Sequence, residues 1–215
     1  MITHALILCG FSYRKNNYSS LIQTAPHNWK FHEFNYFDVL TSSSNNRFSE
    51  GIKKYLNNLN INKVTIIAHS LGGAYAIDFA YHHPEMVKNI YLLNTVGIKH
   101  KYLLFKFIQL SIKNKRNNFS KHFIDDIKGL SSILKTPVRH LRLLKYVEGM
   151  NLEVKAAKIK ANTTLIWGED DYLLPLSDAK KLNSLIKNSK LIALKNTGHD
   201  WPLYSPELFW KNTED

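Results

Sequence analysis

Cysteine is almost absent from this chain: Cys9 is the single one in 215 residues. One thiol excludes an intrachain disulfide and a cysteine-based metal site, and it fits a reducing compartment. Long hydrophobic runs are missing as well, since no stretch approaches the roughly 18 apolar residues that a membrane span requires. There is no internal repeat and no low-complexity linker, only a short polar loop at 42–46. Met1-Ile2-Thr3-His4 runs straight into Ala5-Leu6-Ile7-Leu8-Cys9 with no basic segment and no small-residue cleavage site. These residues read as a strand and not as a signal peptide, so the cytoplasm is the expected location.

Carboxylates are scarce too, with 17 Asp and Glu against 29 Lys and Arg, for a net charge of +12. The scarcity is local. Residues 97–161 hold 15 Lys and Arg against 4 Asp and Glu, whereas the remainder holds 14 against 13. Lysine- and asparagine-rich codon usage would have loaded the whole chain, so the segment is a candidate basic surface.

What is present is a rhythm. A chain of 215 residues makes one full domain and can bury a core without a disulfide or metal staple. Short runs rich in Ile, Leu and Val occupy 5–9, 64–68, 90–93, 163–167 and 191–194, with a more polar candidate at 29–35. Near-continuous apolar strands are what a parallel sheet covered on both faces demands. Helical spacing appears at 48–59, at 71–82 before Pro84, and at 177–186, where Ser177 or Asp178 is the expected N-cap. Alternating strands and helices predict an α/β fold: a mostly parallel sheet of about six strands, flanked by helices. From 98 to 161 the rhythm breaks. Leu103, Leu104, Phe107, Ile108 and Ile112 mark one apolar helical face, and Leu141, Leu144 and Val147 suggest another. The expected organisation is a core of 1–97 and 162–215 interrupted by a helical insertion at 98–161.

Three stretches carry chemistry. Val64-Thr65-Ile66-Ile67-Ala68-His69-Ser70-Leu71-Gly72-Gly73 takes an apolar strand into a serine flanked by small residues, with a helix directly after. A nucleophile elbow needs this pattern, because bulk two positions from the serine clashes with the neighbouring strand and helix. A strand-to-helix turn capped by serine would look similar. Thr164-Leu165-Ile166-Trp167-Gly168-Glu169-Asp170-Asp171 is a late strand ending in a carboxylate cluster, of which Asp171, four residues before Pro175, is the candidate acid. A solvated acidic turn is the plainer reading of that stretch alone. Finally, Leu191–Leu194 leads through Gly198 to His199. Ser70, Asp171 and His199 follow one another in the order of a Ser-Asp-His hydrolase.

Together these stretches resemble the α/β-hydrolase superfamily over nearly the whole chain. The matches are Leu8-Cys9-Gly10-Phe11, Ala68-His69-Ser70-Leu71-Gly72-Gly73, Trp167-Gly168-Glu169-Asp170-Asp171 with Pro175, and Gly198-His199 with Pro206-Glu207-Leu208-Phe209. The resemblance implies Ser70 as nucleophile, His199 as general base and Asp171 as the acid three residues after its glycine. It also implies an oxyanion hole from the backbone amides of Phe11 and Leu71, with no metal and no organic cofactor. Cys9 stands where the family usually has histidine. Asn35-Tyr36-Phe37-Asp38 replaces the usual acidic, glycine-rich turn, and the likeness starts at the family's third strand.

The expected activity is hydrolysis of a carboxylic ester or thioester through an acyl-enzyme. The insertion resembles the cap of such enzymes, and Phe11, Leu103, Phe107 and Trp201 are the candidate substrate-binding residues. In outline, small and basic on the cap, the chain resembles pimeloyl-carrier-protein methyl esterases. That likeness implies acidic acyl carrier protein as partner, docking at Arg139, Arg142 and Lys145. An anionic membrane surface would satisfy the same charge. Two alternatives stand beside this reading: a general carboxylesterase or lipase-like enzyme on free esters, and a catalytically silent ligand-binding relative. No helix-turn-helix, zinc-finger or RNA-recognition signature accompanies the charge, so no specific nucleic acid is expected.

Overall fold

The computed structural model describes residues 2–10, 17–34, 48–99 and 136–213, apart from the side chains of Arg139 and His140. Within them the sheet has six strands: β1 (Thr3–Leu8), β2 (Trp29–Glu33), β3 (Val64–Ser70), β4 (Val87–Thr95), β5 (Asn162–Gly168) and β6 (Ser189–Leu194). Their order across the sheet is β2-β1-β3-β4-β5-β6, and every neighbouring pair is parallel. β3 is buried at all seven positions, as its central place between two helical layers requires. At the edge, β6 has only half-buried and exposed residues and none that is buried.

The helices are α1 (Ser19–Gln23), α2 (Phe48–Asn58), α3 (Gly72–His82), α4 (Pro137–Glu148), α5 (Leu152–Ala156), α6 (Leu176–Leu185), α7 (Trp201–Tyr204) and α8 (Glu207–Lys211). In one layer α2 touches α3, α3 touches α5, and α5 touches α6. Against the other face, α1 meets α7, and the α8 aromatics Phe209 and Trp210 pack edge-on against Tyr91 and Trp29. No described helix is long and apolar enough to cross a membrane.

Two local expectations are corrected. Helix α6 begins at Leu176 with Pro175 as its N-cap, not at Ser177 or Asp178. Proline's fixed φ holds the extended entry, and Asp178 falls in the first turn, where its carboxylate suits the exposed N–H groups. On α4 the buried face is Leu143, Leu144 and Val147, while Leu141 is 42% exposed. The apolar stripe is therefore rotated from the expected one. Outside α4, Lys155 of α5 forms an ion pair with the buried Asp78 of α3, tying the region after 136 to the core.

Candidate active site

The site grows from the carboxyl ends of β3 to β6. Ser70 closes β3 at φ 54°, a left-handed conformation that a side chain adopts only at a cost in strain. The surrounding glycines explain how the turn fits. A Cβ on Gly72 would lie 2.0 Å from the Leu8 carbonyl oxygen, and one on Gly73 would lie 2.2 Å from Thr95 Cβ. Gly10 passes so close that its Cβ would sit 3.1 Å from Ser70 Cβ. The Leu71 backbone N–H, the first of α3's approach, makes no hydrogen bond among the described residues.

Asp171 lies beyond β5 and His199 beyond β6, and their turns are pressed together. A Cβ on Gly168 would reach within 2.2 Å of the Thr197 carbonyl oxygen. His199 Nδ1 donates to Asp171 Oδ2 at 2.7 Å, and Ser70 Oγ donates to His199 Nε2 at 3.0 Å. The tautomer follows from the partners: a carboxylate only accepts, so Nδ1 carries the proton and Nε2 offers its lone pair. Asp171 is buried, and Oδ1 accepts the backbone N–H groups of Leu173 and Leu174 at 2.8 and 2.9 Å. Burial pushes its carboxyl up, but the His199 ring and these hydrogen bonds outweigh that and hold it below the usual carboxylate range. For His199, burial works to lower the value. The Asp171 charge and hydrogen bond outweigh it, with Asp200 adding, so the imidazole sits above its ordinary 6.5.

Three participants had no assigned role in the sequence. Asn94, fully buried at the end of β4 with φ 46°, binds Asp171, Gly168 and Trp201 at once. An asparagine closing an apolar strand, a residue type tolerant of left-handed φ, was the available signal. Tyr18 and His69 form the second group. His69 Nε2 faces the His199 carbonyl oxygen at 3.1 Å and must donate to it, which leaves Nδ1 to accept from the Tyr18 hydroxyl at 2.8 Å. Burial, with His199 close by, lowers the His69 value to about 4. His69 is thus a neutral strut under the loop that carries His199.

Trp201 stands at the site as well, buried, with its indole N–H given to Asn94 Oδ1 at 2.8 Å. That bond makes it a prop for Asn94. Phe11, Leu103 and Phe107 lie outside the described residues, as does the Arg139 side chain. Arg142 and Lys145 are exposed on α4. Cys9 is buried, and burial pushes its thiol well up. His69, His199 and Asp200 place one potential metal-ligand atom each within 4.8 Å of one another, but both rings are already committed as described. A separate cleft of about 710 Å³ lies under the opposite ends of the strands, lined by Thr3, Trp29, Lys88, Asn162 and Lys190 among others, away from Ser70.

No protein-family model matches the chain. Among curated proteins it is 25% identical over 183 residues to the uncharacterized hydrolase YugF of Bacillus subtilis, covering 74% of this chain and 67% of that one. It is 25% identical over 211 residues to a 2-hydroxy-6-oxononadienedioate/2-hydroxy-6-oxononatrienedioate hydrolase of Comamonas testosteroni, covering 86% and 72%. Among solved structures, a provisionally assigned lipase of Acinetobacter baumannii superimposes with a TM-score of 0.77 at 19% identity, covering 98% of this chain and 81% of that one. With the six-stranded parallel sheet and the strand-end site, these likenesses give the chain the α/β-hydrolase fold and support a hydrolase of that type.

Proposed function

We propose that the chain is a serine hydrolase cleaving a carboxylic ester or thioester through an acyl-enzyme, with Ser70, His199 and Asp171 as nucleophile, general base and orienting acid. The supporting observation is the unbroken hydrogen-bond line from Ser70 Oγ through both His199 nitrogens to a buried carboxylate. His199 Nε2 takes the hydroxyl proton as Oγ bonds to the substrate carbonyl carbon, and Asp171 stabilises the imidazolium. The oxyanion is held by the Leu71 and Phe11 amides. Collapse breaks the bond to the alcohol or thiol leaving group, which receives the proton from His199. Water, deprotonated by the same ring, then releases the acid.

Residues 98–161 serve as the cap in this reading, with Leu103 and Phe107 on the acyl pocket. Acyl carrier protein docks on the basic cap. Val138 (59% exposed), Leu141, Arg142 and Lys145 fall at i, i+3, i+4 and i+7 of α4, an outward stripe of apolar and cationic groups suited to an acidic partner. The enzyme works in the cytoplasm. A second reading, hydrolysis of a 2-hydroxy-6-oxo-dienedioate, is favoured by the Comamonas relative.

Fluorophosphonate labelling and a nitrophenyl-ester series on wild type and Ser70→Ala test the core reading. Wild type should label and turn over esters, and the variant should lose both, by about 10⁴-fold or more in kcat. Label retained by Ser70→Ala overturns the nucleophile. Turnover of a 2-hydroxy-6-oxo-dienoate with no ester cleavage selects the second reading. Reversing charge at Arg142 and Lys145 should lower kcat/KM for carrier-bound acyl ester alone; an equal effect on small esters rejects the docking face.

A further inference from the structure

The amide of Asn94 is assigned by its neighbours. One of its side-chain atoms receives two donors that have no lone pair to offer, the Gly168 backbone N–H at 3.0 Å and the Trp201 indole N–H at 2.8 Å. That atom is therefore the oxygen, and the other is the nitrogen. The nitrogen points at Asp171 Oδ2, 2.5 Å away, with the Gly198 carbonyl oxygen at 3.5 Å. Asp171 Oδ2 is also the oxygen that accepts His199 Nδ1–H.

Resting on the proposed roles of Ser70, His199 and Asp171, we infer that Asn94 is a positioning residue of this active site, which aims the Asp171 carboxylate at His199. Three features of the geometry carry this. First, both oxygens of Asp171 are fixed: Oδ1 by the Leu173 and Leu174 amides, Oδ2 by Asn94 and His199. A carboxylate without its Asn94 donor could rotate about its last torsion, and the line to His199 Nδ1 would bend. Second, Asn94 is the penultimate residue of β4, the strand between β3, which bears Ser70, and β5, which leads to Asp171, so its reference point is the centre of the sheet. Third, the donor withdraws charge from the oxygen facing the imidazole. When His199 takes the Ser70 proton, the carboxylate is then a weaker competitor for the Nδ1 proton, which stays on the ring.

Asn94→Asp tests this while keeping size, tolerance of left-handed φ and both acceptor bonds; only the donor is exchanged. Two carboxylates so close share a proton at low pH, and once it is lost the added charge favours the imidazolium. The acid limb of kcat/KM should therefore move to higher pH by about one unit, a roughly tenfold loss below the limb, with kcat falling more than KM. Asn94→Gly, to which positive φ costs little, is the second variant. It removes the donor without adding charge, and should lower kcat with a smaller movement of the limb in the same direction. Limbs unmoved in both Asn94 variants, in folded protein, overturn the inference. The separate failure of the underlying reading would be a wild type that neither labels with fluorophosphonate nor cleaves esters.

Discussion

Acidification offers a direct check on His69. Its ring is 3% exposed, bonded on one side to Tyr18 and on the other to the His199 carbonyl oxygen, and it titrates at about 4 where an unfolded chain would titrate near 6.5. The folded value is the lower one, so between these limits the unfolded state binds more protons. Stability from this group is complete above about pH 6.5 and is lost as pH falls toward 4. Over the full interval the difference is about 3 kcal/mol, at about 1.4 kcal/mol per unit. By pH 4.5 about 2.5 kcal/mol of it should be gone. Urea denaturation of wild type and His69→Gln at pH 8 and pH 4.5 isolates the term. Glutamine can still accept from Tyr18 and donate to the His199 carbonyl, but it cannot be protonated, and the other titrating groups are common to both chains. The wild type should lose about 2.5 kcal/mol more than the variant on acidification. Equal losses would refute both the neutral strut and its Tyr18–His69–His199 bonding.

Gly72→Ala should be among the most damaging single-methyl additions in the chain. Its Cβ would meet backbone atoms of Leu8, 2.0 and 2.6 Å away, which cannot rotate aside. A loss of about 3 kcal/mol or more is expected, read as a fall in Tm of roughly 6–12 °C, and a Tm within 2 °C of wild type would contradict the close approach. The rate also has its own pH signature. Because His199 sits above 6.5 and must be neutral to serve as the proposed base, the midpoint of the acid limb of kcat/KM should lie above pH 6.5. The same shift contributes stability that is present below pH 6.5 and lost as pH rises through the raised value, so activity and this part of stability move in opposite directions.

Much of the fold was legible in the chain because its strands are almost unmixed. Runs such as Val64-Thr65-Ile66-Ile67-Ala68 have no polar face, and only a doubly covered parallel strand hides both. Spacing and order brought Ser70, Asp171 and His199 forward, and the geometry does place them in hydrogen-bond contact. Asn94 shows only its residue type near a strand end, and its role is not legible there. Its meaning lies in contacts at sequence separations of 74, 77 and 107 residues, and no local pattern encodes those. His69 lies in the most conspicuous motif, but its role depends on Tyr18, 51 residues away in the chain. The phase of α4 is ambiguous in the sequence because Leu141, Leu143, Leu144 and Val147 supply two overlapping apolar stripes, and tertiary contact alone selects Leu143 over Leu141.

The contact between Gly168 and Thr197 has a bearing on how the site tolerates thermal motion. Where two turns leave no room for even a methyl group, carboxylate and imidazole travel together, and their separation is buffered against breathing of the sheet edge. Ser70 belongs to another strand two places inward. Movement of this end of the molecule would accordingly fall on the gap between hydroxyl and ring, so that in the proposed mechanism the first proton transfer is the step most exposed to temperature, crowding or a loosely seated edge strand.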